Sequence, residues 1–167
     1  EGNYMAWRGV LGGLPMFYKI YSCNQMVKAW QENNNINYDL VVRLRPDIEL
    51  TDEIPITTLE TAGGLCFSTT KNPDNYSTKN RVSDQFFWGP PELMDMISEI
   101  WLHLPEYYCD MANDPSRSIY GGERVLAYHC QRLGIGLSPH SIHSQIVREK
   151  RNYQNITKTI YRMLQSK

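Results

Sequence analysis

The chain has 167 residues, 41% of them hydrophobic, enough for one domain with a core and too apolar for a disordered segment. Its formal net charge of -1 offers no basic face to neutralise phosphates, which argues against nucleic acid as the main partner. No apolar run approaches the roughly 20 residues that a bilayer-spanning helix needs.

The chain opens on Glu1 and a polar turn, with no strand ahead of its first helix. The expectation is therefore a piece of a longer protein whose front is missing. Met16, Ile20, Cys23, Val27 and Trp30 recur at steps of four and three, which predicts one face of a helix. Pro15 suits its first turn, and Asn33-Asn34-Asn35 end it. A tight polar turn then leads into an apolar strand, Tyr38 to Leu44. Helix, short loop and apolar strand in that order predict an α/β fold with a mostly parallel sheet and flanking helices.

Leu65-Cys66-Phe67 is a second strand candidate. Residues 68–81, STTKNPDNYSTKNR, lack an apolar pattern and read as a mobile polar loop. After VSDQFFW, Gly89-Pro90-Pro91 marks the start of a helix with the face Leu93, Ile97, Ile100, Trp101 and Leu104. Another helix, about residues 122 to 133, stops at Gly134. Ile142 to Val147 reads as a last strand, and 153–167 as a C-terminal amphipathic helix. No second-domain boundary appears, so residues 1–167 read as a single domain. The four cysteines lack the paired short spacing of a zinc site. Three of them fall within apolar or helical patterns, so they read as buried free thiols of a reducing, cytoplasmic compartment.

The stretch YDLVVRLRPDIEL, residues 38–50, places Arg43 and Arg45 in an apolar strand and Asp47 and Glu49 just past a proline. Ligands of open α/β sheets collect outside the carboxyl ends of strands. Extended alternation puts residues 45, 47 and 49 on one side. A guanidinium forks onto a diphosphate, and two carboxylates two residues apart hold a divalent cation. Arg43 and Arg45 pairing with Asp39 and Asp47 to cap a strand is the structural alternative, and spacing alone favours it.

This stretch resembles the "YD-hydrophobic-R-x-RPD" segment of polysaccharide-building glycosyltransferases of bacteria and large DNA viruses, which look like GT-A enzymes. PMFYKIYSCNQMVKAWQE before it and VSDQFFWGPPELMDMI after it resemble the same group in the same order, so the likeness covers roughly residues 13–148. It implies a GT-A-like fold lacking its N-terminal portion, and inverting transfer of a hexose or pentose from a nucleotide-sugar donor to a glycan acceptor. Arg43, Arg45, Asp47 and Arg148 would bind the donor diphosphate. Asp84 would be the catalytic base, or Glu123 in its place, while Gln85, Phe87 and Trp88 would face the acceptor or sugar. Asp47 matches the second carboxylate of the family's Asp-x-Asp, and Arg45 stands where the first would be.

That departure leaves two alternatives open. Either Asp47 and Glu49, completed by His143 or His140, hold manganese or magnesium, or Arg45 replaces the metal as counter-charge. Trp7 and Arg8 lie in a glycine-bordered segment that either approaches the ligand or is a cut end. No transmembrane segment is expected, and peripheral membrane contact is left open. A metal-dependent phosphoesterase using Asp47, Glu49 and the two late histidines, or a non-catalytic glycan-binding module, are the other function classes.

Overall fold

The computed structural model describes residues 4–51, 53–59, 64–69, 81–113 and 121–147. The segment 153–167, Arg148 and most of the polar stretch 68–81 lie outside these residues, as do the side chains of Trp7 and Arg8. Helix α1 (Tyr4–Asn34) runs straight through Pro15, so that proline is not in its first turn. Among its described side chains, Phe17 and Ile20 are the buried apolar ones, with Asn24 one turn further. The buried stripe is thus rotated from the expected one. Cys23 is exposed, and Trp30 is 58% exposed. Asn35 ends the helix in the left-handed region at φ 50°, and the Ile36 N–H donates to the Gln31 carbonyl at 3.1 Å. That six-to-one closure is the Schellman pattern, and asparagine tolerates the conformation better than most residues.

After α1 come β1 (Val41–Leu44), β2 (Ile48–Leu50), α2 (Ile56–Leu59), β3 (Leu65–Thr69), β4 (Phe86–Gly89) and α3 (Pro91–Ser98). They are followed by α4 (Ile100–Asn113), α5 (Gly122–Arg132), β5 (Leu137–Ser141) and β6 (Ser144–Ile146). A four-stranded sheet has the order β1-β4-β3-β5, and β2 pairs with β6 in a separate antiparallel ribbon.

The expected mostly parallel sheet is not what forms. β4 runs antiparallel to both β1 and β3, and only β3 and β5 are parallel. β1, β3 and β5 share one direction, and the reversed β4 is inserted between the first two. Its sequence, FFWG, had read as the approach to a helix. Four apolar residues carry no period to separate strand from helix, and they carry no information about direction. The last strand also differs. Leu137–Ser141 joins the main sheet, with Pro139 on its outermost strand where a missing N–H is tolerated. Only 144–146 of the expected 142–147 is a strand, and it pairs with β2. Ser68 and Thr69, expected in a loop, are buried strand residues. The α3–α4 region is two helices, with Glu99 as the joint.

Alternation along β4 and β3 divides the core. Phe87, Leu65 and Phe67 face the helices, where they join Phe17, Ile97, Ile100 and Leu126. Phe86, Trp88 and Cys66 face the other way and pack with Ile142. β3 and β5 start in close apposition. A Cβ on Gly64 would stand 2.7 Å from the Gly136 carbonyl oxygen, the oxygen that accepts the Leu65 N–H at 2.9 Å. Under the helices, His129 is fully buried between the Tyr107 hydroxyl, 2.7 Å from Nδ1, and the Met96 carbonyl, 2.9 Å from Nε2. A carbonyl only accepts, so Nε2 carries the proton and Nδ1 accepts from the tyrosine. Among the described residues no helix is long and apolar enough to cross a membrane.

Candidate functional site

The antiparallel register of β1 and β4 brings the two sequence tips together. Arg45 follows the end of β1, and Asp84-Gln85 precede the start of β4, so both lie at the same end of the sheet. The Arg45 N–H extends the ladder by donating to the Gln85 carbonyl at 3.0 Å. Beyond Arg45 the chain turns, with the Ile48 N–H donating to the Arg45 carbonyl at 3.1 Å. Pro46 occupies the second position of that turn, where its fixed φ is pre-set.

The turn changes how the charges meet. Extended alternation would have aligned residues 45, 47 and 49. Instead Arg45 reaches Asp47 across the turn in a two-pronged pair, Nε to Oδ1 at 2.9 Å and Nη2 to Oδ2 at 2.7 Å. Glu49 is carried into the ribbon, where it accepts from Gln145 Nε2 at 2.6 Å. Strand direction within one element could not reveal this, because the proline ends that element.

Arg43, Arg45, Asp47 and Asp84 line one cavity of about 460 Å³, and Pro15, Met16 and Lys19 of α1 form its other wall. The Arg43 guanidinium lies 5.1 Å from the centre of the Phe87 ring. Its Nη1 is buried and has no hydrogen-bond partner among the described residues. Burial pulls the Arg43 pKa down to about 10, against the attraction of Asp84 and with the repulsion of Arg45. Arg45 is shifted the other way, held protonated chiefly by its hydrogen bond to Asp47.

Glu123 sits in the first turn of α5, after Gly122, within electrostatic range of Asp84. Its carboxyl is pushed above the usual range, first by burial and then by the Asp84 carboxylate, with Arg81 and Arg124 opposing. Gly122 allows the approach. A Cβ there would stand 3.5 Å from Asp84 Oδ2 and would run into the methyl of Met16.

The remaining sequence candidates are elsewhere. Phe87 and Trp88 are 0% exposed, so their rings serve the core on opposite faces of the sheet rather than offering a flat face to a sugar. Trp88 Nε1 has no hydrogen-bond partner among the described residues, and its ring centre lies 5.1 Å from that of His140. Gln85 is half-buried and contributes its carbonyl to the ladder. The His143 carbonyl accepts from both N and Oγ1 of Thr51, at the far end of the β2–β6 ribbon. Asp47, Glu49 and His143 therefore lie along a ribbon rather than around a point. Among the described residues no group of three His, Cys, Asp or Glu is placed to hold a metal ion. Arg148 lies outside the described residues.

Sequence reasoning missed Lys19. It stands three residues after Met16 on α1, and this spacing marks one helix face, but nothing in the sequence says that this face meets the end of β1. Compared with protein families, curated proteins and solved structures, the chain matches none.

Proposed function

We propose that this chain takes part in transferring a sugar from a nucleotide-diphosphate donor to a glycan acceptor. The observation that carries the reading is a cavity in which Arg43, Arg45 and Asp84 converge, with the Arg43 guanidinium largely taken out of water. A cation taken out of water without a hydrogen-bonding partner costs stability. An anionic ligand in the cavity offsets that cost by compensating the charge. The resemblance of RLRPD and SDQFFWG to polysaccharide-building glycosyltransferases supports the same choice of ligand.

In this mechanism the acceptor hydroxyl attacks the anomeric carbon of the donor on the face opposite the diphosphate. Asp84 takes the hydroxyl proton as the new C–O bond forms. The bond between the sugar and the diphosphate breaks, and its electron pair leaves with the nucleoside diphosphate, whose growing charge is received by the cationic wall. Anomeric configuration inverts. Asp84 then releases the proton to solvent. The reading places the protein in the cytoplasm, in keeping with four free thiols. A phosphoesterase would instead need clustered metal ligands, which the described residues do not form.

Asp84→Asn tests the assignment. Transfer from UDP- and GDP-sugars should fall by about 10²–10⁴-fold, the usual contribution of a positioned general base, while donor binding persists. Unchanged turnover would remove Asp84 from the mechanism.

A further inference from the structure

A divalent ion is the counter-charge implied by the resemblance, and the donor atoms present do not fit one. Both oxygens of Asp47 accept hydrogen bonds from Arg45. Glu49 faces Gln145 in the other sheet, and no cluster of three ligating side chains occurs among the described residues. The cavity instead holds three cationic side chains against two carboxylates, Asp47 and Asp84. Asp47 is matched by Arg45 in a two-pronged geometry. Arg43 keeps a nitrogen without a partner, and Lys19 forms no ion pair with a described residue. Lys19 reaches the cavity from α1, while Arg43 and Arg45 reach it from β1 and the turn after it. An anion between them is therefore gripped from two elements.

We infer that this cavity binds the diphosphate of its ligand without a divalent ion, with Lys19 and Arg43 as the two free cationic contacts and the Arg45–Asp47 pair as a fixed, neutralised edge. The inference rests on the nucleotide-sugar reading and adds Lys19 to it as a binding residue. Arg45 takes the place of a metal in two senses. It occupies the position of the first carboxylate in the resembling motif, and it ties up the carboxylate that remains. Arginine suits the fixed edge because its planar fork matches a carboxylate, and lysine suits the opposite wall because its flexible stem follows a ligand.

The test is calorimetric titration of the metal-stripped chain, in EDTA, with inorganic pyrophosphate and with UDP. Manganese chloride alone is a separate titrant. Both anions should bind in EDTA, and manganese alone should give no saturable heat. Lys19→Met and Arg43→Met should each weaken pyrophosphate by roughly 10- to 100-fold, the usual worth of a charge-assisted hydrogen bond. Retained far-ultraviolet circular dichroism would show that the variants fold. Binding that appears only with added manganese, or manganese binding that Asp47→Asn abolishes, overturns metal-free recognition and leaves the transferase reading standing. Pyrophosphate affinity unchanged in Lys19→Met also overturns the inference. Absence of any binding of UDP or pyrophosphate, with or without manganese, defeats both readings.

Discussion

Arg43→Met should make the protein more stable and at the same time weaken its anion binding. Burial lowers the Arg43 pKa from the ordinary 12.5 to about 10. At 1.36 kcal/mol per pH unit, the charged form is then about 3 kcal/mol less favourable in the folded chain than in the unfolded one. That figure already contains the attraction of Asp84 and the repulsion of Arg45. The sign follows from linkage. A folded-state value below the unfolded one means that protonation opposes folding, and both values lie well above neutrality. The penalty is thus fully present from acid to pH 9 and eases only as pH rises above about 10. Methionine has a similar unbranched stem, carries no charge and packs against the Phe87 ring that the guanidinium now covers. Urea unfolding at pH 7.5 should give a higher midpoint, with a gain of about 1–3 kcal/mol and an unchanged slope. Pyrophosphate titration of the same preparation should show binding weaker by roughly 10- to 100-fold. A variant less stable than the parent, or one that binds the anion as well as the parent does, refutes the view of Arg43 as a strained functional cation.

The buried His129 should make stability fall in mild acid, because its pKa is lowered from 6.5 to about 4, first by burial and also by His103. The unfolded chain binds the extra proton in that window, so stability is full above about pH 6.5 and falls as pH drops toward 4. Between pH 7 and 4.5 it should lose about 2 kcal/mol, and His129→Phe should remove this part of the pH dependence in urea unfolding. Equal pH slopes in parent and variant would contradict a neutral buried imidazole. Gly64→Ala should lower the urea midpoint by about 1–3 kcal/mol, because the new Cβ meets the backbone oxygen of Gly136 rather than a movable side chain. An unchanged midpoint would contradict the close approach of β3 and β5.

The chemistry of the candidate site was more legible than its geometry. Arg43, Arg45, Asp47 and Asp84 drew notice because charges beside apolar runs are costly unless they serve a partner, and all four line one cavity. Their convergence comes from the reversed β4, which a four-residue FFWG run does not announce. The aromatics misled for a related reason. Phe87 and Trp88 look like sugar platforms beside Asp84, but both faces of β4 are covered, Phe87 in one apolar cluster and Trp88 in the other. Glu49 was misplaced because Pro46 and Asp47 turn the chain out of its first sheet. Along α1 the period was legible and its phase was not, since phase depends on which residues the sheet presents. Met16, Lys19 and Cys23 were therefore open to assignment as core or as cavity wall, and only the docking of the helix decides. The helix ends at Asn35 and Gly134 were legible because they rest on local conformation, both residues lying at positive φ.

The most direct measurement is titration of the unmodified chain with UDP- and GDP-sugars, read by calorimetry, with Arg43→Met as control. The account predicts saturable one-to-one binding of at least one nucleotide sugar, weakened roughly 10- to 100-fold in the control. It is contradicted if no nucleotide sugar binds, with or without manganese, while a free glycan binds equally well to parent and control.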